Sequence, residues 1–229
     1  MSALLKVSNL TAFYGPSQAL FDVNLSVTEG HLVALMGRNG MGKSTTIGAI
    51  CRMVTARQGR IEFAGLDLLA MKPHKAVQAG LGLVPEGRRC FPNLTVYENC
   101  IAAARIGDWH FESVSELFPR LHERRNQMAS TLSGGEQQML AIARALMTNT
   151  RLLILDEATE GLAPVVRQEI WTALHKLKLT GLSILLVDKT LSELLDIADH
   201  CVILEKGETV WDGVPGELSA DVSNRYLGV

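Results

Sequence analysis

The 229-residue sequence has little net charge and lacks any long apolar run. Its 22 lysine and arginine residues nearly match its 24 acidic residues, so a net charge of −2 provides no broad field for nucleic acid. No apolar stretch approaches the roughly 20 residues that cross a bilayer, and the start, Met1–Lys6, lacks the layout of a signal peptide. We therefore expect a chain that neither spans a membrane nor leaves the cell by itself, and that binds no nucleic acid.

Cysteine is scarce, and its spacing suggests no metal site. The four cysteines show no paired spacing, and the six histidines form no HExxH or Cys/His arrangement. Cys51 and Cys201 fall in apolar segments and are predicted to be small core residues. We therefore expect the protein to reside in a reducing compartment and its cysteines to bind no structural metal.

A glycine-rich stretch, GRNGMGKS at Gly37–Ser44, is the most informative feature that is present. It follows the apolar run Leu32–Met36 and precedes the helix-forming stretch Lys43–Cys51, which is the context of a phosphate-binding P-loop. Its glycines let backbone N–H groups face phosphate oxygens, and the helix N-terminus adds favourable partial charge. Lys43 is expected to reach the β- and γ-phosphates, and Ser44 to ligate Mg²⁺. The predicted ATP-binding residues here are Gly37, Asn39, Gly40, Gly42, Lys43, Ser44 and Thr45.

Two carboxylates follow a second apolar run, Leu152–Leu155. The pattern predicts a buried parallel strand that ends in Asp156 and Glu157, where α/β sheets place active groups. Asp156 suits the magnesium shell, and Glu157 suits the orientation or deprotonation of an attacking water.

A third stretch, LSGGEQQ at Leu132–Gln138, indicates which class of P-loop protein the chain resembles. A serine N-cap and two glycines open a predicted helix over Gln137–Met147, which gives a second anion-binding helix end. The three stretches in this order resemble the ATP-binding cassette ATPases over nearly the whole chain. In that family the signature of one subunit closes over the γ-phosphate held by the P-loop of another. The resemblance therefore implies that Ser133 and Gly135 contact ATP across a dimer.

The predicted fold class is α/β. Its core is a P-loop NTPase domain of the RecA-like type, with an N-terminal antiparallel β layer over Leu4–Leu10 and Asp22–Val27. Residues 1–229 are predicted to form a single nucleotide-binding domain, and residues 86–148 an inserted α-helical subdomain that carries the signature stretch, with helices near Val96–Ala104 and Ser113–His122. The core strands are predicted at Leu32–Met36, Gly82–Val84, Leu152–Asp156, Ile184–Val187 and Cys201–Glu205.

Three further site residues are implied by the resemblance. Tyr14 matches the aromatic residue that stacks on adenine, the alternative being an edge-strand tyrosine. Glu86 stands where the family usually has glutamine, and Lys189 where it usually has histidine. We hypothesise that the two charges compensate, with Glu86 at or near the Mg²⁺ shell and Lys189 on the γ-phosphate. The alternative is that Lys189 points into solvent and Glu86 caps a loop.

Two stretches, Pro85–Asn99 and Glu160–Pro164, resemble the smaller ATPase of the branched-chain and hydrophobic amino-acid uptake transporters. That resemblance implies ATP-driven uptake of such amino acids, or of a related small solute such as urea or an amide. It also implies a sister ATPase or a second copy of the chain, two transmembrane permease subunits and, indirectly, a periplasmic binding protein. The chain would lie peripherally on the cytoplasmic face of the inner membrane, with ATP and Mg²⁺ as cofactors. The permease would dock near Arg89, Cys90, Phe91 and Leu94, although Phe91 is equally consistent with a core position.

Two other functions remain open from the sequence. A cassette ATPase of DNA repair or chromosome organisation would need a coiled-coil insertion or a basic face, and neither is visible. A regulatory switch with slow turnover is compatible with the altered loops, but Glu157 argues against it.

Overall fold

The computed structural model describes residues 3–228, in which one sheet of ten strands runs through the molecule. Across the sheet the strand order is β5-β4-β1-β2-β10-β9-β3-β8-β7-β6. In chain order the strands are β1 (Ala3–Tyr14), β2 (Ser17–Thr28), β3 (Leu32–Met36), β4 (Thr55–Phe63), β5 (Leu66–Asp67), β6 (Leu81–Val84), β7 (Leu152–Asp156), β8 (Ser183–Val187), β9 (His200–Glu205) and β10 (Glu208–Gly213).

The strands β6, β7, β8, β3 and β9 pair in parallel and form the centre of the molecule. Every residue of β3, β7 and β8 is buried, because hydrophobic clusters cover both faces of the sheet. Along β3, Leu32 and Ala34 belong to one cluster while Val33 and Leu35 belong to the other, as the two-residue period of a strand requires. Burial on both faces explains why these strands appear in the sequence as unbroken apolar runs.

The strands β5, β4, β1 and β2 form the antiparallel layer. The layer joins the parallel part through a parallel pairing of β10 with β2 at Glu208 and Asp22. The predicted strands Leu4–Leu10 and Asp22–Val27 lie inside β1 and β2, so the N-terminal antiparallel layer is confirmed, with longer strands than expected.

Four of the helices lie between β6 and β7, in the stretch that includes the predicted subdomain. The predicted helix Ser113–His122 is wrong as a single element, because Pro119 has no N–H to donate and keeps Phe118 out of helical geometry. The helix predicted over Val96–Ala104 ends at Ile101. In chain order the helices are α1 (Lys43–Ile50), α2 (Pro73–Gln78), α3 (Val96–Ile101), α4 (Phe111–Leu117), α5 (Pro119–Glu123), α6 (Gly134–Leu146), α7 (Pro164–Leu179), α8 (Leu191–Ile197) and α9 (Ala220–Val222).

The cysteines are free thiols, and three of them are buried. Cys51 and Cys201 lie in the core as predicted, and burial raises the pKa of Cys51 to about 12. Among the helices of residues 3–228, none combines the length and the apolar character needed to cross a membrane.

Adjacent parallel strands bring four distant loops to one edge of the sheet. The strands β6, β7, β8 and β3 are neighbours, so the loops that follow their carboxyl ends meet there. These loops begin at residues 85, 157, 188 and 37, and together with the start of α1 they carry most of the predicted site residues.

Candidate active site

The loop between β3 and α1 is shaped as a cradle for phosphate. At Gly37, with a φ of 138°, a Cβ would lie 2.4 Å from the carbonyl oxygen of Leu204, so only glycine fits. Helix α1 is preceded by Gly42, with a φ of 107°, and no side chain within residues 3–228 caps its first N–H groups. These N–H groups therefore remain available to an anion. They border a cavity of about 250 Å³ that is lined by Asn39, Gly40, Gly42, Lys43, Ser44, Thr45, Glu86 and Glu157.

Lys43 lies inside this cradle, and the residue is only 7% exposed. It donates to the carbonyl oxygens of Gly37 at 2.7 Å and Arg38 at 3.0 Å. Burial lowers the pKa of Lys43, although the nearby Glu157 and Asp156 carboxylates oppose that change. The lysine is thus a cation held at the floor of an anion site.

Oxygen donors suited to a hard cation stand beside the cradle. The Ser44 hydroxyl donates to Asp156 Oδ1 at 3.2 Å, which joins the start of α1 to the end of β7. Burial raises the pKa of Asp156 and the Glu86 charge adds to this, while the Ser44 hydrogen bond and Lys43 act in the opposite direction. A carboxylate and a hydroxyl next to a phosphate cradle fit Mg²⁺, which takes few protein ligands alongside phosphate oxygens.

The Glu157 backbone is held in a strained conformation at the end of β7. Its φ is 54°, which is rare for a residue other than glycine, and its N–H donates to the carbonyl oxygen of Val187 at 2.9 Å. A hydrogen bond with the Glu160 carboxyl, together with burial, raises the pKa of Glu157 to about 7, although Lys189 opposes the shift. The Glu157 carboxyl lines the same cavity as Lys43 and Ser44.

The Lys189 ammonium makes its ion pairs with Glu160, in direct contact, and with Glu157 at 3.5 Å. Carboxyl oxygens of Glu86, Glu157 and Glu160 lie within 4.8 Å of one another, so Lys189 faces a cluster of three acidic groups. The direct partner of Lys189 is therefore Glu160, which the sequence hypothesis did not include. Glu86 enters the cluster through its proximity to the other two carboxylates and through the cavity it shares with Ser44.

The Tyr14 ring is 55% exposed and stands next to the cradle. Its hydroxyl donates to Thr45 Oγ1 at 3.4 Å, which fixes the ring near the start of α1. An exposed aromatic face at this position offers a flat surface to a nucleotide base.

The signature stretch lies apart from these residues. Ser133 caps α6, and its N–H and hydroxyl both donate to Glu136 Oε2, at 2.9 and 2.8 Å. Ser133 is exposed, whereas Gly135 is buried so closely that a Cβ would lie 2.3 Å from Val166 Cγ1. Among residues 3–228, those that line the cradle cavity include neither Ser133 nor Gly135. The structure thus brings the other predicted site residues together and leaves this helix end facing outward.

Sequence reasoning missed residues that tie the loops of the site to one another. Asp188 Oδ2 accepts from the N–H and the hydroxyl of Thr159, and Arg88 Nη2 donates to the carbonyl oxygens of Glu160 and Gly161. The one available sequence signal was a third carboxylate, Glu160, three residues after Glu157. Contacts of Arg88 and Asp188 carry no local signal, because they depend on which strands are neighbours.

The chain is similar to known proteins over nearly its whole length, and one family profile matches more than half of it. The profile of the family described as ABC transporter matches residues 20–160. The chain is 39% identical over 232 residues to the high-affinity branched-chain amino acid transport ATP-binding protein BraG of Pseudomonas aeruginosa, which covers 98% of this chain and 100% of that protein. It is 34% identical to the probable branched-chain amino acid transport ATP-binding protein LivF of Archaeoglobus fulgidus, over 94% of each chain. It is 32% identical to the lipopolysaccharide export system ATP-binding protein LptB of Haemophilus influenzae, over 99% of this chain and 98% of that protein.

Solved structures show the same architecture. The structure of an ATP binding subunit of an ABC transporter matches with a TM-score of 0.81 at 30% identity, over 97% of this chain and 92% of that chain. A nucleotide-free ATP-binding cassette from an ABC transporter matches with a TM-score of 0.83 at 25% identity, over 100% of this chain and 96% of that chain.

Proposed function

Since the chain belongs to the family of ABC transporter ATPases, we propose that it powers the uptake of branched-chain or hydrophobic amino acids, or of a related small solute such as urea or an amide. ATP binding and hydrolysis are the activity of this family. One observation favours amino-acid uptake, namely the 39% identity to BraG along its whole length, against 32% to the export protein LptB. Neither a regulatory switch nor a DNA-repair ATPase has a comparable observation in its favour.

In this proposal the residues of the cradle divide the work of hydrolysis. The free N–H groups of the P-loop and the Lys43 ammonium hold the phosphates, and Tyr14 stacks on the adenine. Ser44 and Asp156, with Glu86 nearby, hold Mg²⁺, which when bound neutralises charge on the β- and γ-phosphates. Glu157 orients the attacking water and accepts its proton, and Lys189 contacts the γ-phosphate. The position of Glu157 in the cavity with Lys43 and Ser44 supports this division.

Transporter ATPases of this family work with transmembrane permease subunits. The finer assembly that we propose has two permeases, a sister ATPase or a second copy of this chain, and a periplasmic binding protein reached through the permeases. The outward-facing start of α6 supports a sandwich in which Ser133 and the backbone at Gly135 meet ATP held by the other ATPase. The chain would then lie on the cytoplasmic face of the inner membrane, with the helical stretch 86–148 serving as the subdomain that presents this helix end.

The uptake proposal is tested with the assembled complex in proteoliposomes. We expect ATP inside the vesicles, on the side of the ATPase, to drive import of radiolabelled leucine or a related hydrophobic amino acid, with urea and acetamide as the other candidates. A complex carrying Glu157→Gln is the control for ATP-independent leakage. If none of these solutes is transported, the proposal is contradicted. If the complex instead extracts lipopolysaccharide in an ATP-dependent way, an export function like that of LptB takes its place.

The permease is proposed to dock beside the loop that follows Glu86. A groove of about 280 Å³ lies between β6 and α6, and Arg89 and Arg144 are among the residues that line it. Phe91 is 48% exposed, so the alternative of a core position does not hold. The Arg144 guanidinium lies 4.3 Å from the Phe91 ring centroid, and Asn99 holds the loop by accepting from the Phe91 N–H at 2.9 Å. A fixed, exposed aromatic beside an apolar groove suits a helix end of a membrane partner.

Charge reversal at Arg89 combined with Phe91→Ala should lower ATP-driven uptake by about tenfold or more, as expected when an interface loses an aromatic anchor and an arginine. Basal ATP hydrolysis by the isolated chain should stay within about twofold, because neither side chain lines the nucleotide cavity. Uptake and phosphate release are measured on the same preparations. The matched control is Lys176→Glu with Leu179→Ala, an exposed pair on α7. Unchanged uptake in the Arg89 and Phe91 variant would show that the permease docks on a different surface.

A further inference from the structure

Two adjacent loops of the site carry opposite charges that meet directly. Glu160 lies on the loop after β7, Lys189 lies on the loop after β8, and the Lys189 ammonium contacts the Glu160 carboxylate. The same ammonium lies 3.5 Å from Glu157 Oε2. The Lys189 ammonium is thus paired both with Glu160 and with Glu157, the proposed water-activating residue.

Buried hydrogen bonds fix the two loops relative to each other. The N–H and hydroxyl of Thr159 donate to Asp188 Oδ2 at 3.0 and 2.7 Å, and both residues are at most 9% exposed. The N–H of Glu157 donates to the carbonyl oxygen of Val187. Because these contacts flank the charged side chains in sequence, the meeting of Glu160 with Lys189 follows from a rigid backbone frame.

A third loop holds the Glu160 backbone in place. Arg88, which follows β6, donates through Nη2 to the carbonyl oxygens of Glu160 at 3.3 Å and Gly161 at 3.2 Å. The carboxylate of Glu160 is therefore presented to Lys189 from a segment that is restrained on both sides.

We propose that Glu160 is a positioning residue for ATP hydrolysis, holding the Lys189 ammonium beside Glu157 and directed toward the phosphate cradle. The proposal rests on the proposed function, since it takes Glu157 as the residue that acts on the attacking water. An ammonium has three donors on a flexible four-carbon stem, so it can bind Glu160 and Glu157 and still offer one donor to a phosphate oxygen. Because the Lys189 side chain is flexible, its ammonium needs the Glu160 carboxylate to hold it in position.

The pairing is specific to lysine at position 189. An imidazole has a short, stiff stem and two ring nitrogens, so it does not need a second carboxylate to set its direction. Glu160 should therefore matter when residue 189 is lysine and matter little when it is histidine. Both charged side chains are about half exposed, at 44% and 46%, so their contact contributes little to folding stability. The effect should appear in the rate of hydrolysis and not in the thermal unfolding midpoint.

A double-mutant cycle on the assembled transporter tests this dependence. We expect Glu160→Gln to lower kcat about tenfold, with the KM for ATP within about twofold, because a misplaced charged group costs rate more than binding. In the Lys189→His background the same substitution should lower kcat by less than about twofold. Glu169→Gln is the matched control, since Glu169 is a part-exposed carboxylate paired with Arg120 at 2.8 Å outside the site, and it should leave kcat unchanged.

Two outcomes would overturn the positioning role. Equal losses of kcat in the lysine and histidine backgrounds would show that Glu160 acts independently of Lys189. An increase in kcat for Glu160→Gln would show that the contact restrains Lys189 instead of placing it. Glu160→Asp gives a measurement that does not need the histidine background: it keeps the charge and should retain more activity than Glu160→Gln, and equal losses would also contradict the proposal. Full turnover by Glu157→Gln would instead refute the proposed role of Glu157, whatever the Glu160 cycle shows.

Discussion

Replacing Glu157 by glutamine should lower ATP hydrolysis by at least about a hundredfold, the range in which a general base contributes. The amide cannot accept a proton from the attacking water, yet it keeps the size and the hydrogen-bonding reach of the carboxyl. Nucleotide affinity of the isolated chain should stay within about threefold, because Glu157 makes no favourable contact with ground-state phosphate charge. Phosphate release and nucleotide binding are measured on the same variant.

The matched variant is Lys43→Ala, which should lose the nucleotide affinity that Glu157→Gln retains. Lys43 is a buried cation at the floor of the cradle, beside Asp156 and Glu157. Its loss removes charge-assisted hydrogen bonds of ~1.5–3 kcal/mol, so ATP affinity should fall by about 10- to 100-fold. Hydrolysis should fall with it, because the two carboxylates then lose a neighbouring positive charge. Full turnover by Glu157→Gln, or unchanged affinity of Lys43→Ala, would contradict this division of roles.

Ser133→Arg should abolish ATP-dependent association of the two ATPases and lower hydrolysis by at least about a hundredfold, while monomer nucleotide binding stays within about twofold. Ser133 is exposed at the start of α6 and lies outside the lining of the chain's own cradle cavity, as described for residues 3–228. In the proposed sandwich, an arginine there would occupy the space of the γ-phosphate held by the other subunit. Association is followed by analytical ultracentrifugation with ATP in the Glu157→Gln background.

The loss of the helix cap needs its own control. Ser133 and Glu136 form a capping box, and removing such a cap costs ~1 kcal/mol. Ser133→Ala removes the cap and the serine hydroxyl without adding bulk, so it should lower stability by that amount and weaken ATP-dependent association much less than Ser133→Arg does. Gly135 is unsuitable for this test, because any side chain there would collide with Val166. The sandwich would be contradicted if the isolated Ser133→Arg chain lost nucleotide binding to the same extent as it lost ATP-dependent association.

Elements buried on both faces were the easiest to predict. The strands Leu32–Met36 and Leu152–Asp156 have the predicted bounds, because a strand covered on both sides must be apolar at every position. The Ser133 cap of α6 was also predicted, since a serine followed by glycines is a local signal, but the helix begins at Gly134 and not at the predicted Gln137. The strand β10, with the sequence ETVWDG, was missed because it is half-buried and only two of its six residues, Val210 and Trp211, are large and apolar. Helix α4 was joined wrongly to α5 because the break at Pro119 was given too little weight.

The sequence by itself determined the P-loop, the acidic pair at the end of β7 and the family, since each of these is encoded in a short run of neighbouring residues. Only the tertiary structure decided that Lys189 pairs with Glu160, that Gly135 is buried under Val166 while Ser133 faces outward, and that Phe91 is exposed. These features depend on which strands are adjacent in the sheet and where their carboxyl ends meet. Residues 29 or more positions apart are brought together there by burial of the whole core, which no local pattern records.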